Sequence, residues 1–432
     1  MNALIQKAKY KLAIIRDLPT IRIPDGTKEI KENDFFDLQE LKMIIIPDSV
    51  EYICDYAFKD CASLEVINIP SNLKFLGKDI FSGCSSLRKI VIPDVIEVSN
   101  YNIFFGRDKL FRIRVPESLK YLNNNTFIHD EQLNIIIPKD ITEFTNYLFY
   151  ECTNLLNLII PNGVVSICDY AFYGCTSLKA IVIPDSVKEI GDYAFRKCSS
   201  ISDIVIPDSV TKIGIYAFYG CSSLKNIKIS NNITKIPEAT FRGCTSLNII
   251  IIPNGVTEIG ESAFSLCFSL IKVSIPNTVT KICSYGIYKC IALEDIVIPN
   301  SVSEIGDGFL SKCFKLKSII LSENITKIPT CSFKECSSLV DLIIPKSVKE
   351  IGDLAFWKCK LMKSITISDG VTKIGDHAFS GCESLTSIVI PNTLTQVGEN
   401  IFENCSSLIN ITIPKSLSSS FDIIPNIQIN KI

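Results

Sequence analysis

The chain has 432 residues, 47% hydrophobic and 21% charged, which supplies ample core material and excludes an intrinsically disordered chain. Its 44 basic and 46 acidic residues leave a formal net charge of −2, so no cationic excess exists to neutralise phosphates, and nucleic acid is not an expected partner. No apolar run approaches the roughly 18–20 residues of a membrane span, so membrane insertion is not expected either.

In chain order, residues 1–19 come first. Lys7, Lys9 and Lys11 interrupt this segment, so it lacks the unbroken apolar stretch of a secretory signal and is expected to form an N-terminal cap. The C-terminal residues carry no lipidation or anchoring motif. On sequence the chain reads as cytoplasmic, with display at the cell surface by a non-classical route as the alternative.

From residue 20 a short unit repeats. A marker proline falls at positions 24, 47, 70, 93, 116, 138, 161, 184, 207, 253, 276, 299, 345, 391 and 414, and Ser230, Ser322 and Ser368 hold the same slot. The 18 markers define 17 units: sixteen intervals of 23 residues, and one of 22 between Pro116 and Pro138. Counting from the marker, aliphatic residues occupy +3 and +6. Position +10 is small, often Ala, and +11 is Phe in 15 of the 17 units, with Ile287 and Leu310 as the exceptions. Position +14 is Cys in 14 units, and aliphatic residues return at +17, +20 and +22.

A unit this short cannot bury its own apolar face, but stacked copies turn each apolar slot into a column. The segment from +20 to +22, such as Ile204-Val205-Ile206, is expected to be a short strand pairing in parallel with its neighbours at about 4.8 Å. The marker proline, which has no N–H, suits the strand's end. The Gly-Asp-Tyr-Ala-Phe stretch is expected to be a short helix or 3₁₀ turn. These expectations define an α/β repeat solenoid: a right-handed superhelix with one long parallel β-sheet on the concave face and helical or 3₁₀ turns on the convex face. The array is expected to span residues 20–418, with 419–432 as a C-terminal flank.

The unit Cys-x-x-Leu-x-x-Ile-x-Ile-Pro-x-x-Val-x-x-Ile-Gly-x-x-Ala-Phe resembles the BspA-type (treponemal) class of leucine-rich repeats. Cys221-Ser222-Ser223-Leu224-Lys225-Asn226-Ile227-Lys228-Ile229 carries its first half, and Ile251-Ile252-Pro253 through Ser262-Ala263-Phe264 its second. The resemblance implies a leucine-rich-repeat fold. It also implies a non-enzymatic role in binding other proteins, commonly as an adhesion-type or antigenic surface protein. An intracellular scaffold is the alternative.

Residues two before the marker point outward from the expected sheet, and 11 of these 18 are Ile or Val. An exposed apolar strip of that kind marks an interaction surface, although β-propensity alone also favours these residues. The candidate partner-binding residues are Ile136, Ile159, Val182, Val205, Ile251, Val297, Ile320 and Ile343, with Asn134, Asn157 and Asp203 as polar companions two residues earlier. Residues 93–138 are irregular: Arg107 and Asp130 replace the column Cys, and Arg112 and Arg114 fall on the expected sheet. Drift, a local contact site or a bend in the rod would each account for this stretch.

Eighteen cysteines raise two further possibilities, a disulfide framework and a metal site. With one Cys per unit and no Cys-x-x-Cys, a ladder of buried thiols is the expected arrangement, suited to a reducing compartment. The two histidines, His129 and His377, lie about eleven coils apart, on the order of 50 Å; each is expected on the surface, beside Asp130 or Asp376. Trp357 is expected to be partly buried between coils. No phosphate-binding loop, cofactor motif, small-molecule site or catalytic constellation emerges.

Overall fold

The computed structural model describes residues 19–77, 80–87, 89–91, 97–98, 112–114, 121–122, 133–136, 143–144, 146, 148–153, 155–415 and 428–431. The chain divides into two compact units, Met1–Ala217 and Phe218–Ile432. Within each, the architecture is a parallel-strand β-solenoid of the leucine-rich-repeat kind, built from two ladders per coil.

The main ladder holds the expected strands, set one residue earlier than the pattern suggests. Asp203–Val205, for example, precedes a buried Ile206 and the marker Pro207. In the first unit the ladder runs through eight strands, from Thr20–Arg22 to Ala180–Val182. In the second it is divided into shorter groups, such as Asp295–Val297 with Ser318–Ile320 and Asp341–Ile343 with Ser364–Thr366. Partners in regular coils are 23 residues apart, as in Ile159 opposite Val182. The 22-residue unit is absorbed where Leu133 faces Leu155 but Asn134 faces Asn157, a register shift that leaves Leu156 as the extra residue. Asn68 shortens its strand differently: its side chain accepts from the Ile46 amide at 3.0 Å and donates to the Ile46 carbonyl at 2.8 Å.

The second, shorter ladder was not expected. It comprises two-residue strands at +5 and +6, such as Glu29–Ile30 paired with Tyr52–Ile53 and Lys235–Ile236 paired with Glu258–Ile259. Its +6 residue is a core aliphatic and its +5 residue faces outward. In the second unit the outward column alternates in sign through Lys235, Glu258, Lys281, Glu304, Lys327, Glu350 and Lys373. Neighbours come within salt-bridge reach at 3.1 Å (Lys235–Glu258), 3.4 Å (Lys281–Glu304), 3.3 Å (Lys327–Glu350) and 3.1 Å (Lys373–Glu350).

The expected helical turns are not formed: the described residues contain no α-helix, and the +7 to +13 segments are turns. In the fully described coils two residues adopt positive φ, at +9 and +13, exemplified by Tyr193 (φ 57) and Lys197 (φ 62). A left-handed residue every fourth position stops an α-helix from propagating. The backbone donors turn to the next coil instead: the Tyr193 amide donates to the Ile215 carbonyl at 2.9 Å, and the Phe195 amide to the Ala217 carbonyl at 2.7 Å. Gly308, at one +9 site with φ +61, also leaves room for the Tyr285 ring, which an added Cβ would meet at 2.6 Å.

The core is a set of columns. In the first unit Phe149, Phe172 and Phe195 stack at centroid distances of 5.1 and 5.0 Å, with interplanar angles of 15° and 4°. In the second, Phe333, Phe356 and Phe379 stack at 5.2 and 5.3 Å. Beside them runs the thiol column. Column cysteines donate to the +11 carbonyl of the coil before: Cys198 to Phe172 at 3.0 Å, Cys290 to Phe264 at 3.3 Å and Cys313 to Ile287 at 3.2 Å. The small thiol fills a buried slot and satisfies a backbone acceptor at once. None of the 18 cysteines is in a disulfide. Burial pushes the thiols up from their ordinary range, to about 12 for Cys267 and Cys313.

Candidate functional site

The outer face of the main ladder carries the candidate residues. Strand geometry sends alternate side chains to opposite faces, so where the side chains are described the middle residue of a three-residue strand turns to the core while its neighbours face solvent. The recurrent pattern is exposed–buried–exposed, as in Ala180-Ile181-Val182 and Asp295-Ile296-Val297. In the first unit Ile159 is 80% exposed, Val182 70% and Val205 57%. Asn157 and Asp203 are exposed on the same face, and the Ser202 hydroxyl donates to Asp203 Oδ2 at 2.6 Å. In the second unit Val297, Ile320 and Ile343 occupy successive coils and are exposed, with Ile343 at 71%. Ile251 is equally open but stands opposite Ser274.

The backbone of Leu133–Ile136 pairs with Arg112–Arg114, while the side chains of Asn134 and Ile136 lie outside the described residues. So does the interpretation of residues 93–138 as a contact site, a bend or drift, together with His129 and the two flanks' packing as caps. The terminal strand Gln428–Lys431 is described and pairs with Asn410–Ile413.

Two features of the face were missed in the sequence. One is Ile249, two residues before Ile251, which is also an exposed apolar residue on it. The apolar file is one residue wide, because the adjoining Pro161, Pro184 and Pro207 are buried. Aspartates border it: Asp203 two residues before Val205, and Asp185 and Asp208 just beyond the markers, all exposed. In the second unit Asp295, Glu323 and Asp341 take comparable places, with Lys346 as the cation among them.

Other candidate chemistry is structural. His377 Nδ1 lies 3.3 Å from Glu403 Oε2, while Asp376 Oδ1 accepts from the Glu399 amide at 2.8 Å. Trp357 is half-buried beneath the Lys358 ammonium, 3.9 Å from its ring centroid. Among the described residues no group of three or more His, Cys, Asp or Glu side chains is placed to hold a metal ion, and no helix is long and apolar enough to cross a membrane.

Comparison with known proteins follows the same repeat. The model of the BspA type leucine rich repeat region matches residues 9–134, 127–248, 234–362 and 349–424. The chain belongs to the BspA-type leucine-rich-repeat family. Among solved structures, this BspA-type chain is similar to a leucine-rich repeat protein from Bacteroides ovatus. The two share 26% identity over 85% of this chain and 92% of that one, with a TM-score of 0.62. A leucine rich cell surface protein from Faecalibacterium prausnitzii shares 28% identity over 74% of this chain and 87% of its own, with a TM-score of 0.45. The pneumococcal vaccine antigen PcpA shares 16% identity over 95% of this chain and 88% of its own, with a TM-score of 0.39. No curated protein sequence matches the chain significantly. The fold is one typical of protein-interaction and surface proteins.

Proposed function

We propose that this BspA-type array is a non-enzymatic protein-binding module of the adhesion or surface-antigen kind, docking partners on the outer face of its main ladder. The observation that carries this reading is the single file of strongly exposed Ile and Val: Ile159, Val182 and Val205 in one unit, and Val297, Ile320 and Ile343 in the other. Branched apolar side chains left this open in successive coils mark a surface meant to be covered.

A second reading, an intracellular scaffold, draws support from the cysteines. Eighteen cysteines outside any disulfide suit a reducing compartment better than an oxidising one. Both readings share the docking face and differ in location. Partners captured by the intact chain from its own cells are expected to be lost with I159D/V182D/V205D/V297D/I320D/I343D. Retention of every partner by that folded variant removes the face from consideration. Labelling of the chain by an impermeant reagent on intact cells supports the surface reading; protection supports the scaffold.

A further inference from the structure

The border of the file narrows the choice of partner, given that the file is the docking surface. We infer that each file receives a cationic amphipathic helix laid along it, across the strands. Three observations converge. Asp203 lies two residues before Val205, Asp185 and Asp208 directly follow the markers after Val182 and Val205, and Asp295, Glu323 and Asp341 hold the corresponding positions about Val297–Ile320–Ile343, all of them exposed. Lysines are fewer at these edges: Lys346 stands within the second border, Lys272 holds the position of Asp295 one coil earlier, Lys179 lies one position further out beside the first, and Lys317 is held by Glu294 at 2.7 Å. Such an edge selects Lys or Arg on the partner and opposes a second copy of this chain, which would bring carboxylates against carboxylates.

The file's width gives the second argument. One apolar residue per coil, between polar neighbours, matches the narrow stripe of an amphipathic helix. A sheet packing face to face offers a broad apolar face. Spacing gives the third. Successive coils are about 4.8 Å apart, and a helix repeats its face every 5.4 Å or so, a mismatch of roughly 1 Å over two steps. An extended segment along the file repeats its face about every 6.7 Å and drifts by roughly 4 Å. The helix therefore seats three anchors where the extended chain seats one or two.

The test uses the full chain and four synthetic fluorescent peptides, read by anisotropy: a Leu/Lys amphipathic helix, its Leu/Glu counterpart, a scrambled Leu/Lys peptide and an alternating Val/Lys peptide. The Leu/Lys helix is expected to bind at two sites per chain and at least about tenfold more tightly than the other three. D185K/D203K/D208K or I159D/V182D/V205D removes one site, and adding V297D/I320D/I343D to the latter removes both; circular dichroism confirms that each variant keeps its fold. Equal binding of the Leu/Glu or scrambled peptide overturns the cationic helix yet leaves the file as a docking face. Tightest binding by the Val/Lys peptide overturns the helical geometry, and failure of all four overturns the assignment. Undiminished binding after both files are replaced overturns the file itself, and the proposed function with it.

Discussion

Two stretches of the core solve one packing problem differently. From Phe149 to Phe195 every +11 slot holds a ring and every +10 slot a Leu or Ala, and the rings stack nearly parallel. Around the marker Pro299 the pattern changes. Ile287 and Leu310 hold +11, while Phe309 occupies +10, buried between coils whose own +10 residues are Gly286 and Ser332. The displaced ring meets Phe333 edge-on, 5.5 Å away at 75°. Neighbouring coils are knit through these very residues, the Ile287 amide donating to the Phe309 carbonyl at 2.9 Å and the Leu310 amide to the Ser332 carbonyl at 3.1 Å. The difference teaches that volume is conserved across adjacent columns and neighbouring coils, not slot by slot.

The sharpest way to break the regular stretch is Phe172→Ala. Both stacked neighbours lose a partner and no adjacent residue is large enough to fill the gap, so a loss of about 3–5 kcal/mol is expected by denaturant unfolding. An effect below about 1 kcal/mol would mean that the column collapses freely, contrary to close packing. The swapped stretch is tested by Leu310→Phe, which adds a ring beside Phe309 and is expected to cost about 1–3 kcal/mol by overpacking. Phe309→Ala combined with Leu310→Phe restores the common pattern and should recover much of that loss; an additive double variant would refute the compensation.

The thiol column runs through both stretches and supplies the pH dependence. Burial pushes thiols such as Cys267 and Cys313 up to about 12 in the folded chain, from an ordinary value of about 9. Their folded values are raised, so the stabilisation is complete below about 9, where the unfolded thiol begins to ionise, and declines as pH rises through 12. Within that window each such thiol removes about 1.4 kcal/mol per pH unit. Alkaline unfolding beginning near pH 9 and steepening with the number of column thiols is the expected result, followed by circular dichroism. A flat stability profile between pH 9 and 11 would contradict it.

The repeat period, the strand near the marker and the inward Phe and Cys columns were all legible, because stacking gives every coil the same environment and so repeats the same residue. The turns were misread. Gly191-Asp192-Tyr193-Ala194-Phe195 looks helical by spacing, but the left-handed Tyr193 goes with hydrogen bonds from the Tyr193 and Phe195 amides to the next coil, 22 residues away in sequence. The short ladder escaped for a related reason: two-residue strands such as Lys235–Ile236 show no alternation of their own, and only the column of alternating signs betrays them. The exposed file was legible residue by residue, whereas its acidic border is spread over positions on both sides of the marker and forms no column of its own.

That column of alternating signs bears on how such an array changes its copy number. Excising one 23-residue coil, for instance residues 276–298, would set Glu258 beside Glu304 and juxtapose like charges on neighbouring strands, an unfavourable pairing. Excising two coils would set Glu258 beside Lys327 and keep opposites together. The hydrophobic columns accept growth or shrinkage by single coils, but the charged edge favours gain and loss in pairs.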